Sequence, residues 1–280
     1  MALPIDSANH SGNHPANDPG AWWVDLKVAL ALLTRLPTAP SEDAEAPDIA
    51  RAGRVMPLAG ALIGLVGAVA FWLSAALGLP PLVSGLVAVA ATILFTGAFH
   101  EDGLADTADG FGAAAERARR LEIMRDSRTG TYGVLALILS VGLRAAALAA
   151  IAAPGGEAEA GAVVGAGAVA GALISAHALA RALPPAVMAW APLARSDGLA
   201  AGAGRPEPAQ AWLALGLGAL IALLLFDFGT AVAAMAAAGL AAGALVLLAR
   251  ARIGGYTGDV LGAIEQIGEV AVLLAAAAAL

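Results

Sequence analysis

Long apolar runs broken by short polar stretches dominate the chain. They cover Val55–Leu79, Leu82–Phe99, Val134–Ala153, Ala160–Leu183, Trp212–Phe226, Thr230–Leu248 and Leu261–Leu280. Each approaches the roughly 20 residues a helix needs to cross a bilayer core. The pattern predicts an all-α, polytopic transmembrane helix bundle of about 7 spanning helices. A shorter stretch, Trp22–Leu36, carries Asp25 and Lys27 and is expected to lie in the membrane interface or enter it only partly. Residues 1–20 are polar and lack the basic start of a signal peptide. They read as a disordered tail before a single membrane domain, 21–280.

The basic residues then orient the runs. Arg35, Arg51 and Arg54 precede the first; Arg117, Arg119, Arg120, Arg125 and Arg128 lie between the second and third. Arg181, Arg195 and Arg205 follow the fourth, and Arg250 and Arg252 the sixth. The intervening turns 78–81, 154–159 and 227–229 hold no Lys or Arg. If each run spans once, every basic loop falls on one face, which the positive-inside rule makes cytoplasmic. Arg144 is the exception, placed inside the third run. A charge at that depth faces a partner or a wet cavity, so it marks either a structural ion pair or a substrate contact.

Composition agrees with a lipid-embedded chain. Charged residues make up 13% of 280 and hydrophobic ones 60%, against about 25% charged in a soluble domain. The 34 glycines, interleaved with Leu, Val and Ile, suit close helix packing in lipid. With no cysteine, disulfides and thiolate metal sites are excluded. Of the four histidines, His10 and His14 lie in the tail, which leaves His100 and His177 and argues against a multi-histidine zinc site. The net charge of −7 does not suggest a nucleic-acid binder.

The chemistry concentrates in three stretches. The first is His100-Glu101-Asp102-Gly103-Leu104-Ala105-Asp106-Thr107-Ala108-Asp109-Gly110. Asp102, Asp106 and Asp109 are spaced four and three apart, which places them within about 60° on one helical face. Such a cluster repels itself unless a cation sits among its members. Hard oxygen donors suit Mg²⁺ or Mn²⁺, the alternative being a solvated acidic face. The second stretch runs from Leu121 to Gly133 and contains Arg125, Asp126 and Arg128. Its guanidinium forks fit phosphate oxygens, although Arg117, Arg119 and Arg120 are accounted for by topology alone. The third is Gly254-Gly255-Tyr256-Thr257-Gly258-Asp259, followed by Glu265 and Glu269. Thr257 can cap the last helix, and the two glutamates enter an apolar run where a carboxylate needs a partner or a function.

Together with Thr34–Pro37 and Arg54–Gly60, these stretches recur in order in one family. The chain resembles the cobalamin synthase (adenosylcobinamide-GDP ribazoletransferase) family of bacterial inner membranes, from about Val24 to the C-terminus. Glu101 departs from it, since some members have an apolar residue there; Ala178–Gly204 is only loosely similar. The resemblance implies that adenosylcobinamide-GDP is joined to α-ribazole or its 5′-phosphate, giving adenosylcobalamin or its 5′-phosphate and GMP. It also implies a bacterial inner (plasma) membrane location and Mg²⁺ as cofactor. Asp102, Asp106 and Asp109 are then the expected metal ligands. One of them, or Asp126, would accept the hydroxyl proton, which of the four being left open. Arg125 and Arg128 would stabilise the leaving phosphate. Thr257, Asp259 and Glu265 are further candidates for substrate contact, the last two also for a second metal. Oligomeric assembly is left open.

Two other classes are weighed against this reading. A CDP-alcohol phosphotransferase also spaces aspartates, but it requires an arginine where Asp106 stands. A transporter would place its carboxylates near the bilayer midplane, with Arg144, Glu265 and Glu269 on the path.

Overall fold

The computed structural model describes residues 19–38, 48–153 and 158–279, the last with side chains from 165 onward. Most of the expected tail, residues 1–18, lies outside the described residues; Pro19 and Gly20 already belong to the first helix. The described residues form twelve helices and no strand beyond one isolated bridge, Leu193 to Tyr256. They are α1 (Pro19–Leu33), α2 (Ile49–Ala52), α3 (Met56–Ala76), α4 (Pro81–Thr96), α5 (Phe99–Gly112) and α6 (Arg117–Ile123). After these come α7 (Thr131–Ile151), α8 (Ala158–Trp190), α9 (Leu199–Gly202), α10 (Pro208–Leu225), α11 (Phe228–Ile253) and α12 (Gly258–Ala279). A short 3₁₀ turn, Gly53–Val55, joins α2 to α3.

Among the described residues, six segments are long and apolar enough to cross a membrane: Ile49–Ala76, Thr131–Ile151, Gly165–Trp190, Pro208–Leu225, Phe228–Ile253 and Gly258–Ala279. The seventh expected span is altered. Its helix, α4, stops at Thr96, and Phe99 begins α5, which turns away by 95°. Gly97 and Ala98 both adopt left-handed backbone, with φ of 73° and 59°, and build this elbow. For a residue with a Cβ, that conformation costs on the order of 1–3 kcal/mol and persists only where the surroundings impose it. The apolar pattern could not register the break, because Phe99 continues it. We read α4 as a short span and α5 as a helix laid along the edge of the bundle.

Local chemistry accounts for the element ends. Prolines at the starts of α3, α4 and α10 fill positions whose N–H groups would have no helical partner. The Asp227 carboxylate accepts from the Gly229 and Thr230 N–H groups at 3.0 and 3.1 Å, which closes the α10–α11 turn. Helix α8 runs seven residues beyond the predicted Leu183, through Pro184 and Pro185. Arg181 therefore lies well inside the helix and not at its edge, which corrects its grouping with the loop arginines.

Helix α8 is the axis of the bundle and packs against α3, α10 and α12. Gly60 and Gly64 of α3 sit directly on its backbone; a Cβ at Gly64 would lie 2.5 Å from the Leu173 carbonyl. This spacing of small residues lets two membrane helices approach closely. Leu77, Leu94, Leu224, Phe228 and Leu240 instead point outward and are exposed by 69–82%, as side chains facing lipid are. Helix α1 is partly embedded: Asp25 is buried and bonded by Arg51 at 2.9 Å and Arg54 at 2.7 Å.

Candidate active site

The three loops after α5, α8 and α11 meet on one face. Arg117 donates to the Ala194 carbonyl at 2.8 Å, Arg125 pairs with Asp197 at 2.6 Å, and Leu193 bridges to Tyr256. Helix α5 lies across this face. Gly103 sits so close to the first turn of α12 that a Cβ would stand 2.8 Å from the Asp259 carbonyl. That contact brings Asp259 beside the α5 aspartates.

The predicted helical face is present: Asp102 is exposed, and Asp106 and Asp109 are half-buried. Partial burial, with Asp102, Asp259 and Asp109 nearby, pushes the Asp106 carboxyl up to about 7. Neighbouring carboxylates oppose one another's ionisation, and a hard cation among them would relieve that repulsion. Asp109 is anchored, accepting from the Gly130 N–H at 2.6 Å and the Gly133 N–H at 2.9 Å. A side chain on either glycine would collide with its carboxylate. The glycines of the second stretch thus hold one aspartate of the first.

The remaining predicted residues divide. Thr257 caps α12 through the Val260 N–H at 3.3 Å and donates to Asp259 at 3.1 Å. Asp126 is half-buried and accepts from the Arg128 guanidinium at 3.0 and 2.6 Å and from the Arg128 N–H at 3.1 Å, which holds its carboxyl down at about 2. It points to Arg128 and is not joined to the α5 face. Arg125 pairs with Asp197. Arg195, from the loosely similar stretch, is the residue sequence reasoning missed. Its Nη2 lies 3.5 Å from Asp259, and its Nη1 is buried with no hydrogen-bond partner. Topology had accounted for Arg195 completely, so nothing in the sequence singled it out.

Glu265 is not at the edge. It is fully buried and paired with Arg181 at 2.6 Å, within a network that also contains His100, Glu101, Arg144, His177 and Glu269. Arg144 bridges Glu101 at 3.2 Å and Glu269 at 3.1 Å. Glu101, the departure from the family pattern, therefore has a cation to meet. Ligand atoms of His177, Glu265 and Glu269 lie within 4.8 Å of one another. Two guanidiniums already occupy their carboxylates, however, and would repel a divalent ion. Charges inside apolar runs are a legible signal, and Arg144 was read that way; Arg181, two residues before the predicted end of its run, was grouped with the loop arginines instead.

These features define a multi-pass helical membrane protein with an acidic edge site, backed by a buried ion network. The chain belongs to the cobalamin-5-phosphate synthase family, whose model matches residues 25–277. It is 49% identical over 254 residues to an adenosylcobinamide-GDP ribazoletransferase of Bradyrhizobium diazoefficiens, covering 91% of this chain and 93% of that one. It is 46% identical to the protein of the same name from Azorhizobium caulinodans, over 89% and 94% of the two chains. No solved structure matches.

Proposed function

We propose that the protein joins adenosylcobinamide-GDP to α-ribazole or its 5′-phosphate at the α5 edge, on the cytoplasmic side of a bacterial inner membrane, and releases GMP. The observation that carries this reading is the convergence of Asp102, Asp106, Asp109 and Asp259 where the family's motifs meet. The ribazole hydroxyl attacks the cobinamide-linked phosphorus, a new P–O bond forms, and the pyrophosphate bond to GMP breaks. A carboxylate of the site accepts the hydroxyl proton. Asp102, Asp106 and Asp109 would hold Mg²⁺, which when bound neutralises pyrophosphate charge.

Arg125 and Arg128 are assigned to the leaving phosphate. Each now pairs with a carboxylate at the surface, and surface pairs are worth only about 0–1 kcal/mol. Exchanging that partner for a phosphate therefore costs little. The CDP-alcohol reading is set aside by family membership. The transporter reading is disfavoured because Arg144, Glu265 and Glu269 are committed to buried ion pairs, Arg144 with Glu269 and Glu101 and Glu265 with Arg181. The cytoplasmic assignment is supported by the meeting of the basic loops on one face.

The test is GMP release by the purified full chain. Release is expected only when adenosylcobinamide-GDP, a ribazole acceptor and Mg²⁺ are all present. Release without the acceptor would indicate a hydrolase and overturn the proposal.

A further inference from the structure

Beside the acidic edge the bundle contains a cavity of about 70 Å³. Leu32, Met56, Phe99, Met188, Leu199 and Leu261 shape it, and His100 and Arg181 are the only polar side chains in its lining. Gly258, Leu261 and Gly262 of α12 form one wall, and Phe99 and His100 of α5 form another. Asp259 and Asp102 stand on the same two turns. Cavity and acidic edge thus share the α5–α12 seam, where Gly103 packs on Asp259 and Gly262 on His100.

The proposed reaction requires the protein to hold four kinds of surface: an amide-rimmed macrocycle, a guanine, phosphates and the acceptor's aromatic base. A cavity of 70 Å³ has room for about five waters. That is the scale of one flat bicyclic ring and excludes a corrin macrocycle. Guanine would leave its donors and acceptors unpaired against apolar walls, which disfavours it. Phosphates belong at the charged edge. The apolar benzimidazole of ribazole remains, and methionines on two walls suit an aromatic ring. We propose that this cavity is the subsite for the aromatic base of the ribazole acceptor, from which the ribose extends along the α5–α12 seam to the carboxylates. The inference rests on the ribazole-transfer reading.

Ala203, on the cavity wall after α9, allows a direct test with the full-length enzyme. Ala203→Phe fills the space and is expected to raise the KM for α-ribazole at least about tenfold, because pocket shape is worth 10–200-fold in discrimination. The KM for adenosylcobinamide-GDP should stay within about twofold, since uniform loss of binding moves only the substrate concerned. Met188→Ala widens the same space and should admit a riboside with a bulkier base that the wild type rejects. If Ala203→Phe leaves both KM values unchanged, an acyl chain or nothing fills the cavity, and the proposal is wrong. It is equally wrong if both values rise together. Should Ala203→Phe fail to insert, unaltered base selectivity in Met188→Ala overturns it. Equilibrium dialysis with α-ribazole separates this idea from the reaction itself. If the wild type releases no GMP, the ribazole-transfer reading fails. Ribazole binding lost in Ala203→Phe still supports the cavity assignment, whereas equal or absent binding refutes it.

Discussion

Two groups of charges sit a few helical turns apart in this protein and are treated in opposite ways. In the deep network Glu101, Glu265 and Glu269 face Arg144 and Arg181, and these pairs are joined at 2.6–3.2 Å. At the edge, Asp102, Asp106 and Asp109 stand beside Asp259, whose one salt bridge among the described residues is a long contact of 3.5 Å to Arg195. The deep charges have been taken out of solvent, and that is sustainable only because they neutralise one another. The edge carries an excess of negative charge that the chain itself does not offset. The first arrangement holds four helices together. The second is the one to which we assign the cation and the phosphates of the proposed reaction.

Breaking the deep network should have the largest effect on folding. Arg144→Met leaves two buried carboxylates without their shared cation and is expected to destabilise the protein by about 3–5 kcal/mol. Unfolding of the detergent-solubilised protein measures this directly. An unchanged midpoint would mean that the network does not hold the bundle.

A smaller effect separates arginines that do chemistry from those that orient the chain. Arg128→Lys keeps the charge but loses the planar fork, so transfer should fall one to two decades, from a lost contact of about 1.5–3 kcal/mol. Arg119 pairs only with exposed Glu122 at 2.7 Å, and Arg119→Lys should be nearly silent. Equal rates of GMP release would remove Arg128 from the phosphate site.

The edge should also respond to pH in the opposite sense to an ordinary carboxylate pair. Asp106 is raised to about 7 when folded, so its folded form holds a proton that the unfolded chain releases near 4. The stability it contributes is present at low pH and is lost as pH rises toward and through 7. Without divalent cations the thermal midpoint should fall over that window, and Mg²⁺ should raise it more above pH 7 than at pH 5.5. Equal stabilisation at both values would separate Asp106 from the cation.

Much of this contrast was legible in the sequence. The apolar runs gave the spans, and the 102–106–109 spacing gave one acidic face, because both are local periodicities. Arg144 announced by its depth that it needed a partner or a wet cavity, and the structure supplies the partners. The partner's identity, the elbow at Gly97–Ala98 and the arrival of Arg195 beside Asp259 depend on how distant segments pack, which no local pattern encodes. Glu265 shows the same limit from the other side: it shares a helix with Asp259, yet two turns of α12 carry it from the edge into the deep network.

The most direct measurement compares GMP release by purified wild type and Asp106→Asn, at saturating Mg²⁺ and both substrates, alongside their unfolding midpoints. The substitution removes charge at nearly constant volume, and the residue belongs to no buried pair. Release should drop at least about a hundredfold, equivalent to about 2.7 kcal/mol of transition-state stabilisation, with the midpoint kept or raised. Near-normal release by Asp106→Asn would make the edge a solvated acidic face and contradict the account.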